Sequence, residues 1–275
     1  MMIDRETSPI LPSGFVPNKA LGQNFLSSKD VIDRILDAAQ IEGKRVLEIG
    51  PGSGALTEGL LQHAGYLAAV EKDGRLCEVL QERFGERLTL LHADILNADL
   101  PTLMGGEPWH AIGNLPYYVT TPIVLLLLSL LPQSMTLMVQ KEAAQRFFAG
   151  PRDRVYGPVA VATECFYRTN EVLQVPRSCF QPQPEVDSVV VRLERNGESC
   201  DSPAAFLSFL KRAFSMRRKT LHNALGKDPR LPDQLALLGQ NAGVRAEALP
   251  PDMLLRIYKA LDRVPSAESK FKIEV

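Results

Sequence analysis

Short apolar runs alternate along the first half of the chain with longer segments in which apolar residues recur at helical spacing. Five of these runs have the length and aliphatic content of buried strands: Arg45–Gly50, Tyr66–Glu71, Leu88–Asp94, Trp109–Asn114 and Met135–Gln140. The segments between them, such as residues 54–64 and 74–85, have helical periodicity. Near-continuous apolar strands separated by helices are typical of a parallel sheet that is covered on both faces. The pattern therefore predicts a doubly wound α/β fold.

Two further apolar runs, Glu171–Val175 and Asp187–Leu193, are joined by a proline-rich loop that has no room for a crossover helix. Parallel neighbours need such a helix, whereas antiparallel neighbours do not. We therefore expect these two runs to pair as a hairpin that closes the sheet. The predicted fold class is α/β, with a doubly wound, mainly parallel, seven-stranded Rossmann-like sheet.

The sequence pattern changes after Leu193. Residues 194–203 are polar without periodicity and have the composition of a linker. Four short helical segments follow, at residues 204–214, 217–226, 231–240 and 251–264. We place a domain boundary near residue 198. This gives an N-terminal extension (1–20), a sheet domain (21–197) and a small helical domain (198–275).

The composition is that of an ordinary soluble globular protein, with 45% hydrophobic and 23% charged residues in 275. The N-terminus lacks the basic and then apolar pattern of a signal peptide. The most hydrophobic segment is Pro122–Pro132, which is too short for a membrane span of about 20 apolar residues. We expect a core helix there, no membrane partner and a cytoplasmic protein.

Charge and cysteine content limit the partners of the protein. The net charge is −1, so any nucleic-acid contact must come from a local basic patch. Four cysteines, at positions 77, 165, 179 and 200, lie far apart with no C-x-x-C pair. This spacing favours reduced thiols over a disulfide framework or a zinc site. With only four histidines no metal-ligand cluster is visible, and we expect no metal.

A glycine-rich turn follows the first predicted strand and opens the next helix. Gly50, Gly52 and Gly54 stand at alternate positions, where the absence of Cβ lets the backbone approach a ligand. Glu71 ends the next predicted strand, where a carboxylate accepts hydrogen bonds from ribose hydroxyls. A dinucleotide fits this pattern loosely, through Gly50, Gly52 and Ala55. S-adenosylmethionine fits it as well, and a purely structural turn is the third interpretation.

The end of the third predicted strand favours one of these ligands. Asp94 stands there, where its side chain or the adjacent backbone can bind an adenine edge. A dinucleotide would also need a place for its nicotinamide and a hydride acceptor, for which the sequence offers no candidate residues. S-adenosylmethionine is therefore the favoured cofactor. The alternative role of Asp94 is to cap the turn that follows it.

The fourth predicted strand ends in a tetrapeptide, Asn114, Leu115, Pro116 and Tyr117, that offers no acid, base or nucleophile. Methyl transfer from a sulfonium needs none, because the donor is already activated and the enzyme chiefly supplies position. The Asn114 amide oxygen and the Leu115 carbonyl can accept the two N–H bonds of an adenine amine. Pro116 stiffens the turn, and Tyr117 offers a ring for the base to stack on. A plain strand-ending turn is the alternative.

Seven stretches of the chain carry a resemblance to a known family. They are LGQNFL (21–26), EIGPGSGALT (48–57), VEKD (70–73), HADIL (92–96), GNLPY (113–117), VQKEAAQRF (139–147) and FQPQPEVDSVVVRL (180–193). Together they resemble the small-subunit ribosomal RNA adenine N(6),N(6)-dimethyltransferases, over residues 21–225. The glycine turn is weakly specific, whereas N-L-P-Y and F-x-P-x-P-x-V-D-S together are strongly specific.

The resemblance implies a reaction and a substrate. Four methyl groups would pass from S-adenosylmethionine to two neighbouring adenosines in the 3′-terminal hairpin loop of small-subunit (16S) rRNA, within an assembling subunit. Recognition would then depend on shape and on splayed loop bases. The sheet domain would be the methyltransferase and the helical domain would contact RNA. We expect the protein to be a monomer.

The resemblance also implies roles for individual residues. The residues implied to bind the cofactor are Asn24, Leu26, Gly50, Gly52, Glu71, Asp94 and Asn114. Gly50 would contact the methionine part, Glu71 the ribose and Asp94 the adenine. Asn114 would sit between cofactor and target amine, with Tyr117 stacked on the target adenine and Phe180 on its other face. The alternative for Phe180 is a core aromatic.

RNA binding is predicted for one basic segment, residues 211–227, which has six cations and no acidic residue. Five of these cations are predicted to contact phosphates: Lys211, Arg212, Arg217, Arg218 and Lys219. A solvated helix face is the alternative. Departures from the family pattern bear on rRNA docking: Lys19 is the only cation in GFVPNKAL (14–21), directly before the GQNFL motif, YGPVAV stands at 156–161, and His222 replaces a common arginine.

Two other functions fit parts of the sequence. A large-subunit rRNA adenine methyltransferase of the antibiotic-resistance kind would share the fold, but those proteins usually have N-I-P-[YF] where this chain has Leu115. A non-catalytic RNA- or DNA-binding factor could keep the same fold. The intact set of cofactor residues argues against a protein that only binds.

Overall fold

The structure of the protein is a computed structural model that describes residue 11 and residues 14–262. Most of the predicted N-terminal extension, residues 1–10, 12 and 13, therefore lies outside the described residues. Residues 263–275 of the predicted helical domain do so as well.

Seven of the nine strands in the described residues lie where the apolar runs predict them, and two-residue strands at Phe25–Leu26 and Phe180–Gln181 are the other two. The nine strands are β1 (Phe25–Leu26), β2 (Arg45–Ile49), β3 (Tyr66–Glu71), β4 (Thr89–His92), β5 (His110–Asn114), β6 (Ser134–Gln140), β7 (Tyr167–Val175), β8 (Phe180–Gln181) and β9 (Ser188–Arg195). Seven of them form one sheet in the order β4-β3-β2-β5-β6-β9-β7. Strands β2 to β6 are parallel, and β9 is antiparallel to β6 and β7. The predicted α/β class and its closing antiparallel pair are confirmed.

The helices fill the connections between strands and then form the C-terminal part of the chain. They are α1 (Lys29–Ala39), α2 (Thr57–His63), α3 (Gly74–Phe84), α4 (Leu100–Leu103), α5 (Thr120–Leu130), α6 (Lys141–Phe148), α7 (Pro158–Phe166), α8 (Pro203–Ser215), α9 (Leu221–Ala224), α10 (Leu231–Leu237) and α11 (Pro251–Asp262). The very apolar segment is the core helix α5, which buries Ile123, Val124, Leu127 and Leu128. No helix of the described residues is long and apolar enough to cross a membrane.

The site depends on the parallel register at the centre of the sheet. Ile49 at the end of β2 pairs with Val70 on one side and with Gly113 on the other. Glu71 and Asn114 are the last residues of β3 and β5, so both stand within one residue of this level. Three chain segments therefore leave the same edge of the sheet side by side, as expected where ligands bind α/β sheets.

One small pairing was not predicted. Strands β1 and β8 form a separate two-stranded antiparallel sheet in which Leu26 pairs with Phe180. Two-residue strands carry almost no periodicity, and their partners lie far apart in sequence, so the apolar pattern contains no sign of them. The pairing fixes residues 21–26 (the N-terminal segment) beside the carboxyl edge of the main sheet.

The C-terminal helices pack onto the sheet layer. Phe206 and Leu210 of α8 belong to the same buried cluster as Leu127 of α5 and Phe166 of α7. The Tyr156 hydroxyl donates to the Leu249 carbonyl at 2.8 Å, which joins the loop before α7 to the segment before α11. The core is therefore continuous across residue 198, and the division into two domains there stays a prediction.

Tyr156 gives a test of this attachment. Its side chain is buried and lies edge to face with Phe214, with ring centroids 5.6 Å apart. Tyr156→Phe leaves the Leu249 carbonyl without its buried donor, so we expect the free energy of unfolding to fall by about 1–2 kcal/mol in urea titrations. Tyr66→Phe removes a partly buried bond to the Leu103 carbonyl and should cost less. A Tyr156→Phe variant as stable as the unmodified protein would contradict the expectation.

Candidate functional site

A deep cleft opens at the carboxyl edge of the sheet, with about 1070 Å³ of empty space that is continuous with solvent. Its walls come from the N-terminal segment and from the turns that follow β2, β3, β4 and β5. All the residues predicted to bind a cofactor line this cleft: Asn24, Leu26, Gly50, Gly52, Glu71, Asp94 and Asn114. Leu115, Pro116 and Tyr117 line it as well. The structure thus brings together residues that are up to 93 positions apart in sequence.

The glycine turn after β2 forms the floor of the cleft. Gly50, Gly52 and Gly54 all have positive φ, at 63°, 59° and 81°. A Cβ at Gly52 would lie 3.2 Å from Cδ1 of Phe25, and one at Gly54 would lie 2.7 Å from the Phe84 ring. A Cβ at Gly50 would meet no atom within 4 Å. Gly52 and Gly54 thus serve packing as well as backbone shape, whereas Gly50 leaves open space above the turn.

The Glu71 carboxylate ties this turn to the end of β3. Its Oε2 accepts from the backbone N–H of Gly52 at 3.1 Å. Its Oε1 accepts from the N–H groups of Lys72 and Asp73 at 2.8 and 2.9 Å. Glu71 is only 7% exposed, and this burial raises the pKa of its carboxyl above the ordinary value, while the three N–H bonds oppose the rise.

Asp94 has both of its carboxylate oxygens engaged. Oδ1 accepts from the Leu96 N–H at 3.0 Å, so the side chain does cap the turn after β4. Oδ2 lies 2.9 Å from the Lys72 ammonium. The hydrogen bond from Lys72 lowers the pKa of Asp94 below its ordinary value. Asp94 therefore caps the turn after β4 and also lines the cleft.

Asn114 makes one side-chain contact, with the N-terminal segment. Its Nδ2 donates to the Asn24 carbonyl at 3.1 Å, and Asn24 in turn donates to the Gly22 carbonyl. Among residues 14–262 no donor reaches Oδ1 of Asn114 or the carbonyl of Leu115. Two acceptors in the cleft wall are therefore available at the end of β5.

The rest of the tetrapeptide is held firmly. The Leu115 N–H donates to the Met138 carbonyl at 3.0 Å, and its side chain is buried. Pro116 has φ −58° and ψ 129°, and Tyr117 begins the short 3₁₀ turn that leads into α5. The Tyr117 hydroxyl hydrogen-bonds Ser188 at 2.8 Å, and burial raises the pKa of its phenol. The ring is fixed at one end, and part of its surface remains accessible.

Phe180 does not line the cleft. It is 4% exposed and belongs to the buried cluster under β1 and α1, because β8 pairs with β1 and turns this side chain into the core. The arrangement agrees with the core interpretation of Phe180. Its role against the second face of a base stays a prediction.

Sequence reasoning missed Gln23 and Asp73, which fasten the N-terminal segment. Asp73 caps α3 by accepting from the Arg75 N–H, and it accepts from the Arg75 guanidinium and from Nε2 of Gln23 at 2.8 Å. These bonds, with Arg75 first, lower the pKa of Asp73 to about 2. Aspartate before a glycine at the start of a helix is a capping signal. A local sequence pattern cannot predict its contact with Gln23, which lies 50 residues away in the chain.

Glu48 is the second residue that the sequence reading passed over. It lies on β2, is 1% exposed and accepts from the Thr57 hydroxyl at 2.7 Å. Burial raises the pKa of its carboxyl from 4.5 to about 8, and the negative charge of Glu71 contributes to the rise. A charged residue inside the apolar run VLEIG was the available signal.

The basic segment lies outside the cleft. In the described part of the chain, some of its Lys and Arg side chains bond to other protein groups, and others do not. Arg217 donates to the Glu247 carboxylate at 3.1 Å and to the Arg154 carbonyl at 2.9 Å. Arg212 donates to the Leu225 carbonyl at 3.0 Å. Within residues 14–262 the exposed side chains of Lys211, Arg218 and Lys219 have no ion-pair or hydrogen-bond partner. The described residues also contain no group of three or more His, Cys, Asp or Glu side chains that could hold a metal ion.

Comparisons with known proteins agree on one family. The sequence model of the ribosomal RNA adenine dimethylases matches residues 14–263. The chain is 37% identical to the ribosomal RNA small subunit methyltransferase A of Natranaerobius thermophilus, over 89% of this chain and 91% of that one. It is 38% identical to the protein of the same name from Shouchella clausii, over 90% of both chains.

Two solved structures resemble this one over most of its length. A dimethyladenosine transferase from Plasmodium falciparum gives a TM-score of 0.68 at 25% identity, over 86% of this chain and 97% of that one. The 23S rRNA methyltransferase ErmE gives a TM-score of 0.62 at 28% identity, over 87% of this chain and all of that one.

The buried Glu48 makes stability depend on pH in a testable way. Because its pKa is about 8 in the folded protein and near 4.5 when exposed, the folded chain keeps a proton that the unfolded chain loses between these values. Raising the pH through this window therefore destabilises the fold. Glu48→Gln cannot lose this proton, so its stability relative to the unmodified protein should rise by about 1.4 kcal/mol per pH unit in that window.

Urea unfolding at pH 5, 6, 7 and 8 measures this difference. The matched control is Glu82→Gln, which changes an exposed glutamate on α3. Its stability relative to the unmodified protein should stay level with pH. If the stability difference between Glu48→Gln and the unmodified protein were also independent of pH, Glu48 would ionise in the folded protein near its ordinary pKa.

Proposed function

The chain belongs to the ribosomal RNA adenine dimethylase family, and on that premise we propose that its cleft binds S-adenosylmethionine beside the exocyclic amine of an rRNA adenine. The enzyme is an rRNA adenine dimethyltransferase. The observation that carries the proposal is the hydrogen bond from Asn114 Nδ2 to the Asn24 carbonyl. This bond leaves the Asn114 amide oxygen available as an acceptor at the end of β5, in the cleft that the glycine turn after β2 also lines.

The chemistry of the cleft fits this cofactor. The space above Gly50 stays open because glycine has no side chain to fill it, and this space suits the amino-acid part of the ligand. A carboxylate can accept about four hydrogen bonds, and Glu71 already accepts three. The remaining site, on Oε2, is suited to a ribose hydroxyl. Asp94 is proposed to contact the adenine, and Asn24 and Leu26 also line the cleft.

The cofactor supplies an electrophilic methyl group on a positively charged sulfur. The chain then has to orient the amine that receives it. Oδ1 of Asn114 and the carbonyl of Leu115 accept the two amine N–H bonds, which directs the nitrogen lone pair away from both acceptors. Pro116 fixes the path between these acceptors and Tyr117. The Tyr117 ring, held through Ser188, provides the stacking surface for the base.

Small-subunit rRNA is the proposed substrate. The relatives that match about 90% of the chain are named ribosomal RNA small subunit methyltransferase A, and Leu115 stands where the large-subunit enzymes usually have isoleucine. We propose that the target is the pair of neighbouring adenosines in the 3′-terminal loop, in an assembling subunit in the cytoplasm. One chain supplies every proposed site residue, which supports a monomer. Phe180 would reach the base only if β8 moved.

The experiment that tests the function uses small subunits from cells that lack this modification. We expect the protein and S-adenosylmethionine to add four methyl groups to the 3′-terminal rRNA fragment, measured by mass spectrometry. Asn114→Ala should slow transfer by about 100-fold or more, because the amine loses an acceptor that positions it. Its affinity for S-adenosylmethionine, measured by calorimetry, should change much less.

The matched control is Asn170→Ala, which removes an exposed asparagine from the edge strand β7. It should methylate at the unmodified rate. Full activity in Asn114→Ala would refute the assigned mechanism. No methylation by the unmodified protein, with cofactor binding intact, would refute the substrate and direct attention to large-subunit rRNA.

A second test concerns the basic segment, for which we propose that Lys211, Arg218 and Lys219 contact phosphates. Arg218→Gln with Lys219→Gln should weaken binding to small subunits and reduce the slope of log affinity against log salt by about 1–2. Filter binding at several salt concentrations measures both quantities. Arg217→Gln is the contrasting variant, since its guanidinium is bound to Glu247 and two carbonyls. It should lower stability and leave the salt slope nearly unchanged.

A further inference from the structure

Tyr118 is an exposed aromatic residue in the wall of the cleft. Its side chain is 52% exposed although it lines the same cleft as Glu71 and Asn114. Of the large apolar side chains that are exposed in the described part of the chain, Tyr118 alone lines this cleft. The reaction assigned above gives it no role.

Tyr117 and Tyr118 present their rings differently. Both lie in the 3₁₀ turn after Pro116, where successive side chains are about 120° apart around the axis. Tyr117 extends to β9, where its hydroxyl meets Ser188. Tyr118 extends instead to Gly22 of the N-terminal segment, so the two rings contact different parts of the protein.

The N-terminal segment is shaped to hold the Tyr118 ring. Gly22 has φ +63°, and a Cβ on it would lie 3.3 Å from Cδ1 and 3.6 Å from Cε1 of Tyr118. Pro116 lies close to the same point, 3.8 Å from that Cβ position. One edge of the ring is therefore packed while the rest faces solvent. Near the phenol, the Lys72 ammonium has its pKa raised, chiefly by Asp94 and in smaller part by Tyr118.

A ring that is fixed along one edge and open on its surface is suited to stacking. Unpaired RNA bases are bound by stacking on aromatic side chains, and such a contact tolerates any base. We propose that Tyr118 is a second stacking platform, which binds a nucleobase next to the target adenine in unpaired RNA. The proposal rests on the proposed function, and it adds a nucleotide subsite beside the one that Tyr117 forms.

The test compares Tyr118→Leu with Tyr118→Phe on undermethylated small subunits at saturating S-adenosylmethionine. Tyr118→Phe keeps the ring and should behave as the unmodified protein. Tyr118→Leu should raise KM for the subunit by about tenfold, as expected for the loss of one stacked base, with kcat and the calorimetric affinity for S-adenosylmethionine little changed. Phe148→Leu is the matched control, because Phe148 is 49% exposed and does not line the cleft.

Several results would overturn the inference. An unchanged KM in Tyr118→Leu would do so, and so would a loss in Tyr118→Phe as large as in Tyr118→Leu, which would assign the effect to the hydroxyl. Weaker S-adenosylmethionine binding with an unchanged subunit KM would make Tyr118 a wall of the cofactor site. If the unmodified protein methylates no small-subunit rRNA, the proposed function fails first, which is a distinguishable result.

Discussion

The Glu71 carboxylate is the constraint on which the cleft depends. A buried carboxylate is costly unless hydrogen bonds replace the lost water, and here three backbone N–H groups do so. Charge-assisted bonds of this kind are stronger than neutral ones. Because one donor belongs to Gly52 and two belong to the turn after β3, a single side chain fixes two loops relative to each other. The two loops together form the part of the cleft where we propose that the cofactor binds.

The same constraint extends to the half of the site where the amine would lie. Asp73, whose N–H is bound by Glu71, caps α3 and holds Gln23 of the N-terminal segment. The next residue, Asn24, accepts the amide of Asn114. Hydrogen bonds, together with the peptide link between Gln23 and Asn24, thus connect the glycine turn to the end of β5. The residues proposed to bind the cofactor and those proposed to orient the base are therefore joined by one network.

The predictable part of this structure is the part that depends on local pattern. Periodicity located the strands of the main sheet, and parallel pairing then dictated that Glu71 and Asn114 share an edge. What could not be predicted depends on tertiary contacts. The bond between Gln23 and Asp73 spans 50 residues, and Arg217 resembles its neighbours in the basic segment until the fold brings Glu247 beside it. Burial of Phe180 likewise follows from the β1–β8 pairing, which has no sequence signal.

The tetrapeptide that begins at the end of β5 (residues 114–117) contains no acid or base for the reaction. This is consistent with the way its two hydrogen-bond acceptors are held. An acceptor that orients an amine acts through its position, because the transfer requires the nitrogen lone pair to be aligned with the methyl group. The Leu115 carbonyl belongs to a backbone that is bonded to Met138 on one side and followed by proline on the other. The Asn114 amide is fixed by the N-terminal segment. The structure therefore supplies rigidity at the two atoms where the proposed chemistry requires accuracy, and it does so with backbone bonds rather than with titrating groups.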